Sequence, residues 1–331
     1  MKIRLSSIFI PGVLALSVMF IPFFLIRFEV IDDYAARILT LGAVNAVMAV
    51  SVNVITGITG QLSIGQAGFM AIGAYSCVFF TLDLGIPIPL SVLLASVVTA
   101  AAGFFIGFPT LKLSGDYLAI VTLGFGEIIR VILINLKQIT GGANGRTFVT
   151  PLATRPDFTF LTAITSLVII IILLQNFMRS TFGRAILAVR EDEIAACSNG
   201  IGVFRYKMTG FIIASFIAGI GGCLYAMVNY LVKADIASFN KSIDYLIFVV
   251  LGGMGSITGS VLAAYVLTYF QEMLRFLQEY RLLIYPLLLI FVMLFRPQGL
   301  LGMRELSFLG FYRRISSFIR RKSQRNENRN E

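Results

Sequence analysis

Three groups of polar side chains interrupt an otherwise apolar chain. Gln61, Ser63 and Gln66 are uncharged amides and a hydroxyl, suited to hydrogen-bonding a polar solute in passage without trapping a charge. Glu127 and Arg130 are three residues apart, the spacing that puts an acid and a base on one helix face. Glu191, Asp192 and Glu193 form an acidic run behind Arg179, Arg184 and Arg190. None of these is a catalytic set. The chain has no histidine, which removes the commonest general base and metal ligand. Cys77, Cys197 and Cys223 are too scattered for a disulfide framework or a metal site. No G-x-x-x-x-G-K-[ST] occurs, so the chain does not cradle ATP by a P-loop. The expectation is a protein that is not an enzyme and binds no metal or cofactor itself.

The elements that must position these groups are membrane helices. Of 331 residues, 57% are hydrophobic and 13% charged, with mean hydropathy +0.88. A soluble domain is nearer 45–50% apolar and about 25% charged. A bilayer span needs roughly 20 apolar residues, and the chain offers about ten such stretches. They are expected at 8–26, 36–55, 64–82, 89–108, 117–136, 160–178, 209–231, 243–254, 257–273 and 282–295. The fold class is therefore all-α and polytopic, with a membrane domain over 1–303 and a basic tail over 304–331. The 243–254 stretch is short and ends on Gly252, Gly253 and Gly255. It is counted as a crossing because only an even number of spans puts both basic ends on one side.

Orientation follows from Lys and Arg. Lys2 and Arg4 place the N-terminus in the cytoplasm, and Arg179, Arg184, Arg190, Arg205 and Lys207 place the 179–208 loop there too. The tail from Arg304 carries half of the net charge of +10. It is expected to lie inside, touching anionic lipid rather than nucleic acid.

Polar groups within spans must face protein or water. The stretch GITGQLSIGQAGFMAIGAY, from Gly57 to Tyr75, reads either as a tight helix-packing seam or as a broken helix lining a path. GDYLAIVTLGFGEIIRVILIN starts with Asp116 at a helix N-terminus and puts Glu127 about 16 Å further on, near mid-bilayer. The Glu127–Arg130 pair reads either as a structural lock or as part of gating and passage. A faint echo between GQLSIGQAGFMAIGAY and GMGSITGSVLAAY suggests two five-helix repeats. The 179–208 loop is too long for a connector. Its acids open a short helix that Gly200 stops, so it reads as a docking element.

Ala195-Ala196-x-x-x-Gly200 resembles the coupling motif Glu-Ala-Ala-x-x-x-Gly of ABC-importer permeases, with Ile194 where the Glu stands. GDYLAIVTLGFGEIIR, TGGANG, STFGRAILAVREDEIAA, VVLGGMGSITGSVLAAY and FRPQGLLG, with the Gly-rich stretch above, resemble in order the LivM-type permease family of branched-chain amino acid importers. Urea and short-amide permeases share most of these segments and are the alternative; an ion-coupled secondary transporter is a more distant one. The resemblance implies an ATP-driven importer of Leu, Ile and Val in a bacterial or archaeal inner membrane. It implies a LivH-like second membrane subunit, two ATPase subunits that hydrolyse the ATP, and an extracytoplasmic solute-binding protein. It assigns coupling to Arg190, Glu191, Asp192, Glu193, Ala195, Ala196 and Gly200. Gln61, Ser63, Gln66, Glu127 and Arg130 remain the path candidates.

Overall fold

The computed structural model describes residues 22–28, 31–113, 115–150 and 154–275, and positions 287, 290, 294, 299 and 302. The expected first and last spans, at 8–26 and 282–295, and the tail lie largely or wholly outside the described residues. Between them the chain is helical. The long helices are α1 (Asp33–Val52, continued as a π-helical segment Asn53–Ile58), α3 (Ile88–Thr110), α4 (Asp116–Asn135), α6 (Pro156–Arg179) and α9 (Val203–Asn229). These five are long and apolar enough to cross a membrane. Shorter elements are α2 (Gln66–Val78, continued as a π-helical segment Phe79–Asp83), α5 (Lys137–Thr140), α7 (Thr181–Glu191), α8 (Glu193–Ser198), α10 (Phe239–Gly252) and α11 (Ile257–Met273).

The sequence explains the ends. Pro156 opens α6 at its first position, where a missing N–H costs nothing. Ser180 caps α7 and Ser256 caps α11 by accepting from Gly183 N and Gly259 N. Helix α9 is the central post, packed on α1, α2, α3 and α7, while α11 and α6 flank α1. Close approach needs small residues: a Cβ on Gly73 of α2 would lie 2.5 Å from the Gly219 backbone of α9.

The polar residues of the 179–208 loop, the 59–65 stretch and the Gly253–Gly255 turn share one face. Gly299 and Gly302 pack against Gly253 there. On the opposite face, the GGANG segment folds as a 3-10 turn, Gly142–Asn144, followed by a short strand β1 (Arg146–Thr147) that pairs antiparallel with β2 (Leu231–Val232). Arg146 bridges from β1 to Asp83 with both terminal guanidinium nitrogens, Nη1 and Nη2. That contact holds the Asp83 carboxyl below its usual range. A depressed carboxylate stabilises above its unfolded pKa and loses the effect as pH falls through the lower folded value, so this latch is fully made at neutral pH.

Two expectations are refined. The short crossing begins at Phe239, four residues before the expected 243. At 14 residues it spans only about 21 Å, short of a roughly 30 Å hydrocarbon core. The 64–82 stretch is not helical until Gln66.

The α2–α9 seam predicts that Gly73→Val lowers the melting temperature of the detergent-solubilised protein, overpacking there costing about 1–3 kcal/mol. Gly124→Ala, where a Cβ meets no atom within 4 Å, should leave it unchanged.

Candidate functional site

Helix α1 does not end at Val52 but loosens into the π-helical segment Asn53–Ile58, a form concentrated at functional positions. The chain then turns through Gly60, at φ +71°, a conformation that L side chains rarely adopt. It runs unwound until α2 starts at Gln66. That start lies well inside the protein, because Gly65 abuts Thr122 and Gly68 abuts Gly126 of α4. Thr122 is six residues beyond the start of α4, about 9 Å in from that end. The break is held by Thr59 N donating to Val54 O and Gln61 N to Ile55 O, both at 3.0 Å, and by Ile64 N donating to Thr122 Oγ1 at 3.1 Å. Ala67 N, in the first turn of α2, donates to Ser242 Oγ of α10 at 3.3 Å.

The packing seam and the break in the helix are both present in this stretch. It is a packing seam through Gly73 and a broken helix from 59 to 65. Gln61, Ser63 and Gln66 are all buried. Gln66 Oε1 lies 3.1 Å from Ser51 Oγ. Among the described residues, both side-chain polar atoms of Gln61, Ser63 Oγ, Gln66 Nε2, Asn53 Nδ2 and Thr56 Oγ1 have no hydrogen-bond partner. Each such group costs about 1–3 kcal/mol when left unpaired, and they are concentrated in this one stretch.

The break is tied to the second Gly-rich stretch. Asn53 Oδ1 accepts from Gly255 N at 2.8 Å, and Gly255 turns at φ +90° into α11. Arg190 completes the junction. A Cβ on Gly60 would lie 3.0 Å from Arg190 Cγ, and one on Gly255 would lie 3.1 Å from Arg190 Nη1. The two stretches paired by the sequence echo thus turn on the same face, against the same arginine.

The charged loop differs from its expected form. A single helix from Arg190 to Gly200 was expected. Instead the chain breaks at Asp192, whose Oδ1 accepts from Ile194 N at 2.8 Å and Ala195 N at 3.0 Å. Asp192 is a cap, Glu193 starts α8, and Arg190 and Glu191 belong to α7. Gly200, at φ +77°, ends α8 as expected. Glu193 pairs with Lys207 of α9. Ala196 is buried against the protein, whereas Ile194 is 81% exposed at the position where the coupling motif carries Glu. Sequence reasoning noted Ile194 at the motif's Glu position but not its exposure; the signal was an apolar residue directly after three acids on a polar loop.

Glu127 and Arg130 lie apart from this break. They pair at 3.3 Å, and Arg130 also reaches Asp235 at 3.1 Å. Glu127 Oε1 accepts from Phe239 N at 3.2 Å, so the pair seats the N-terminus of α10 where a carboxylate suits the helix dipole. Asp235 was not singled out from sequence.

Over residues 34–293 the chain matches the family described as the branched-chain amino acid transport system / permease component. It belongs to this family. The high-affinity branched-chain amino acid permease LivM of Salmonella typhimurium is 38% identical over 80% of this chain and 69% of its own length, and LivM of Escherichia coli gives the same values. The nucleoside ABC transporter permease NupC of Lactococcus lactis is 25% identical over 61% of this chain and 71% of its own. No solved structure matches the chain. The protein is thus an all-α, polytopic membrane permease component.

Replacing Glu127 by Ala removes the acceptor at Phe239 N and one of the two carboxylates on Arg130. The expected result is a lower melting temperature of the solubilised protein, by an amount in keeping with a lost cap worth about 0.5–2 kcal/mol. Glu127→Gln keeps an acceptor oxygen and should recover most of the loss.

Proposed function

We propose that this chain is the conduit subunit of an ATP-driven importer of branched-chain amino acids. The single observation that carries the substrate is the 38% identity to two LivM permeases over four-fifths of the chain. It favours amino acids over the urea or short-amide alternative. The importer works beside a LivH-like second permease subunit, two ATPase subunits and an extracytoplasmic solute-binding protein. It resides in a bacterial or archaeal inner membrane, with the 179–208 loop and both termini cytoplasmic. The ATP is bound and hydrolysed by the partners, and this chain carries out no chemistry.

In this reading the ATPases grip α8. Ile194 is the anchor, an exposed apolar side chain that fits a groove on a soluble partner. Ala195 and Gly200 leave room for close contact, Ala196 packs α8 down on the membrane domain, and Asp192 and Glu193 keep the helix formed. Glu191 and Arg190 link it to α7. Arg190 then carries the movement to Gly60 and Gly255, the turns on either side of the path. The solute passes the uncharged groups of Gln61, Ser63 and Gln66, with Glu127 and Arg130 in the wall nearer the outside. An ion-coupled carrier would need an unpaired titratable group at mid-depth, and Glu127 is engaged by Arg130 and Phe239 N.

Ile194→Asp should leave the permease inserted and paired with its membrane partner. It should abolish co-purification of the ATPase subunits and lower leucine uptake by about ten-fold or more, as loss of a hot spot of 2 kcal/mol or above does. Unchanged ATPase recovery and uptake would contradict the docking assignment.

A further inference from the structure

Helix α1 starts on the face opposite the charged loop, where α9 ends and α6 begins. A cavity of about 210 Å³ lies among these three helix ends. Asp33 and Arg37 of α1, Pro156 and Thr159 of α6, and Val228 and Tyr230 at the end of α9 line it. Thr40, one turn beyond Arg37, lines it as well. Thr40 and Thr159 are buried, at 2% and 6% exposure. Each hydroxyl donates to a carbonyl of its own helix, Thr40 to Ala36 O at 2.7 Å and Thr159 to Pro156 O at 3.0 Å. Their oxygen lone pairs are left to accept.

Arg37 is the unusual group. An acid in the first turn of a helix suits the dipole, as Asp33 does; a base one turn on does not. An acid four residues ahead of a base has the spacing of a helix ion pair. Yet Asp33 and Arg37 form none, with each other or with any other described residue. Asp157, in the first turn of α6, is engaged by Arg27 at 3.6 Å and Arg155 at 3.4 Å. Arg37 keeps one long hydrogen bond, 3.4 Å to Asn229 Oδ1. The cavity therefore holds one open negative and one open positive charge. Beside them Tyr230 sits at φ +57°, alone among the described non-glycine residues in being positive. That conformation is costly for a bulky side chain and recurs at ligand clamps.

We propose that this cavity binds an α-amino acid as its zwitterion, at a site built by this chain alone and separate from the 59–65 break. Arg37 takes the carboxylate with its two terminal nitrogens. Asp33 and the hydroxyl oxygens of Thr40 and Thr159 take the ammonium. Val228, Pro156 and the Tyr230 ring offer an apolar wall to an aliphatic side chain. A simple anion would leave Asp33 uncompensated, and a simple cation would leave Arg37 so. The class of ligand comes from the cavity; that it is an imported branched-chain amino acid rests on the reading above. Bound there, it ties three helix ends together, about 24 Å along α1 from the π-helical segment.

The test is equilibrium binding of radiolabelled leucine to the assembled permease–ATPase complex in detergent, without solute-binding protein or nucleotide. Leucine should bind and raise the melting temperature. Leucine methyl ester lacks the carboxylate and 4-methylpentanoate lacks the ammonium. Each should compete about ten-fold more weakly or worse, as loss of a charge-assisted pair requires. Arg37→Gln and Asp33→Asn should weaken leucine binding by a similar factor. Unchanged leucine binding in both variants would place the ligand elsewhere and overturn the proposal. If Arg37→Gln lowers the melting temperature of the ligand-free complex, the ester and acid comparisons on the unaltered protein decide. Binding of alanine but not leucine, sensitive to Arg37→Gln, would sink the branched-chain reading and leave the site standing. No response to either amino acid would overturn the site while leaving leucine uptake by the complete importer untouched. An ethanolamine phospholipid that co-purifies with the complex and is lost in Arg37→Gln would give the cavity to a zwitterionic headgroup and overturn the amino-acid assignment.

Discussion

A backbone that leaves helical geometry inside a bilayer must find its hydrogen bonds in protein or water. Residues 59–65 do this at the loop-side third of the membrane, and much of the structure follows from how they are supported. Thr122 of α4 takes one amide and the π-helical turn takes two others. Asn53 joins the turn to Gly255. Three backbone amides of the stretch are thereby held, whereas both polar atoms of Gln61, Ser63 Oγ and Gln66 Nε2 have no partner among the described residues. Partly held backbone beside unpartnered amides is the feature on which the proposed path rests.

The same junction joins the charged loop to the proposed path. α8 is fastened to α7 through Asp192 and to α9 through the Glu193–Lys207 pair. α7 ends with Arg190 lying against both glycine turns. Gly60 and Gly255 accept this contact because neither has a side chain and both sit at positive φ. In the proposed mechanism, a displacement of α7 and α8 would press on two turns at once, one leading into α2 and the other into α11. The opposite face is pinned by the Arg146–Asp83 latch and the β1–β2 pair, which gives the movement something to work against.

Most helices were legible because a bilayer demands long apolar runs, and their positions fell within a few residues of the expected ones. Gly200 as a stop, Asp116 as a helix start and the Glu127–Arg130 pair were read correctly, since each depends on neighbours in sequence. What was hidden depends on contacts distant in sequence. Ser238 marks the start of α10 but makes no cap bond; the carboxylate that seats Phe239 N belongs to Glu127, far back on α4. The split of the charged segment at Asp192 was misread because an acidic run favours a helix start without saying which acid is the cap. Arg190 looked like a docking residue among others until the two glycine turns were found beside it.

The central claim is that the coupling loop and both glycine turns form one inner body that moves together. Spin labels at native Cys197 and at Met254→Cys, with buried Cys77 and Cys223 replaced, report the distance between α8 and the Gly253–Gly255 turn in the assembled complex. Between nucleotide-free and ATP-bound states this distance should change by less than about 2 Å, the scale of small helix adjustments, while ATP alters the distance from Cys197 to the β1–β2 pair by more. A shift of the Cys197–254 distance as large as that seen to the opposite face would mean that the loop moves without the turns, and the account would fail.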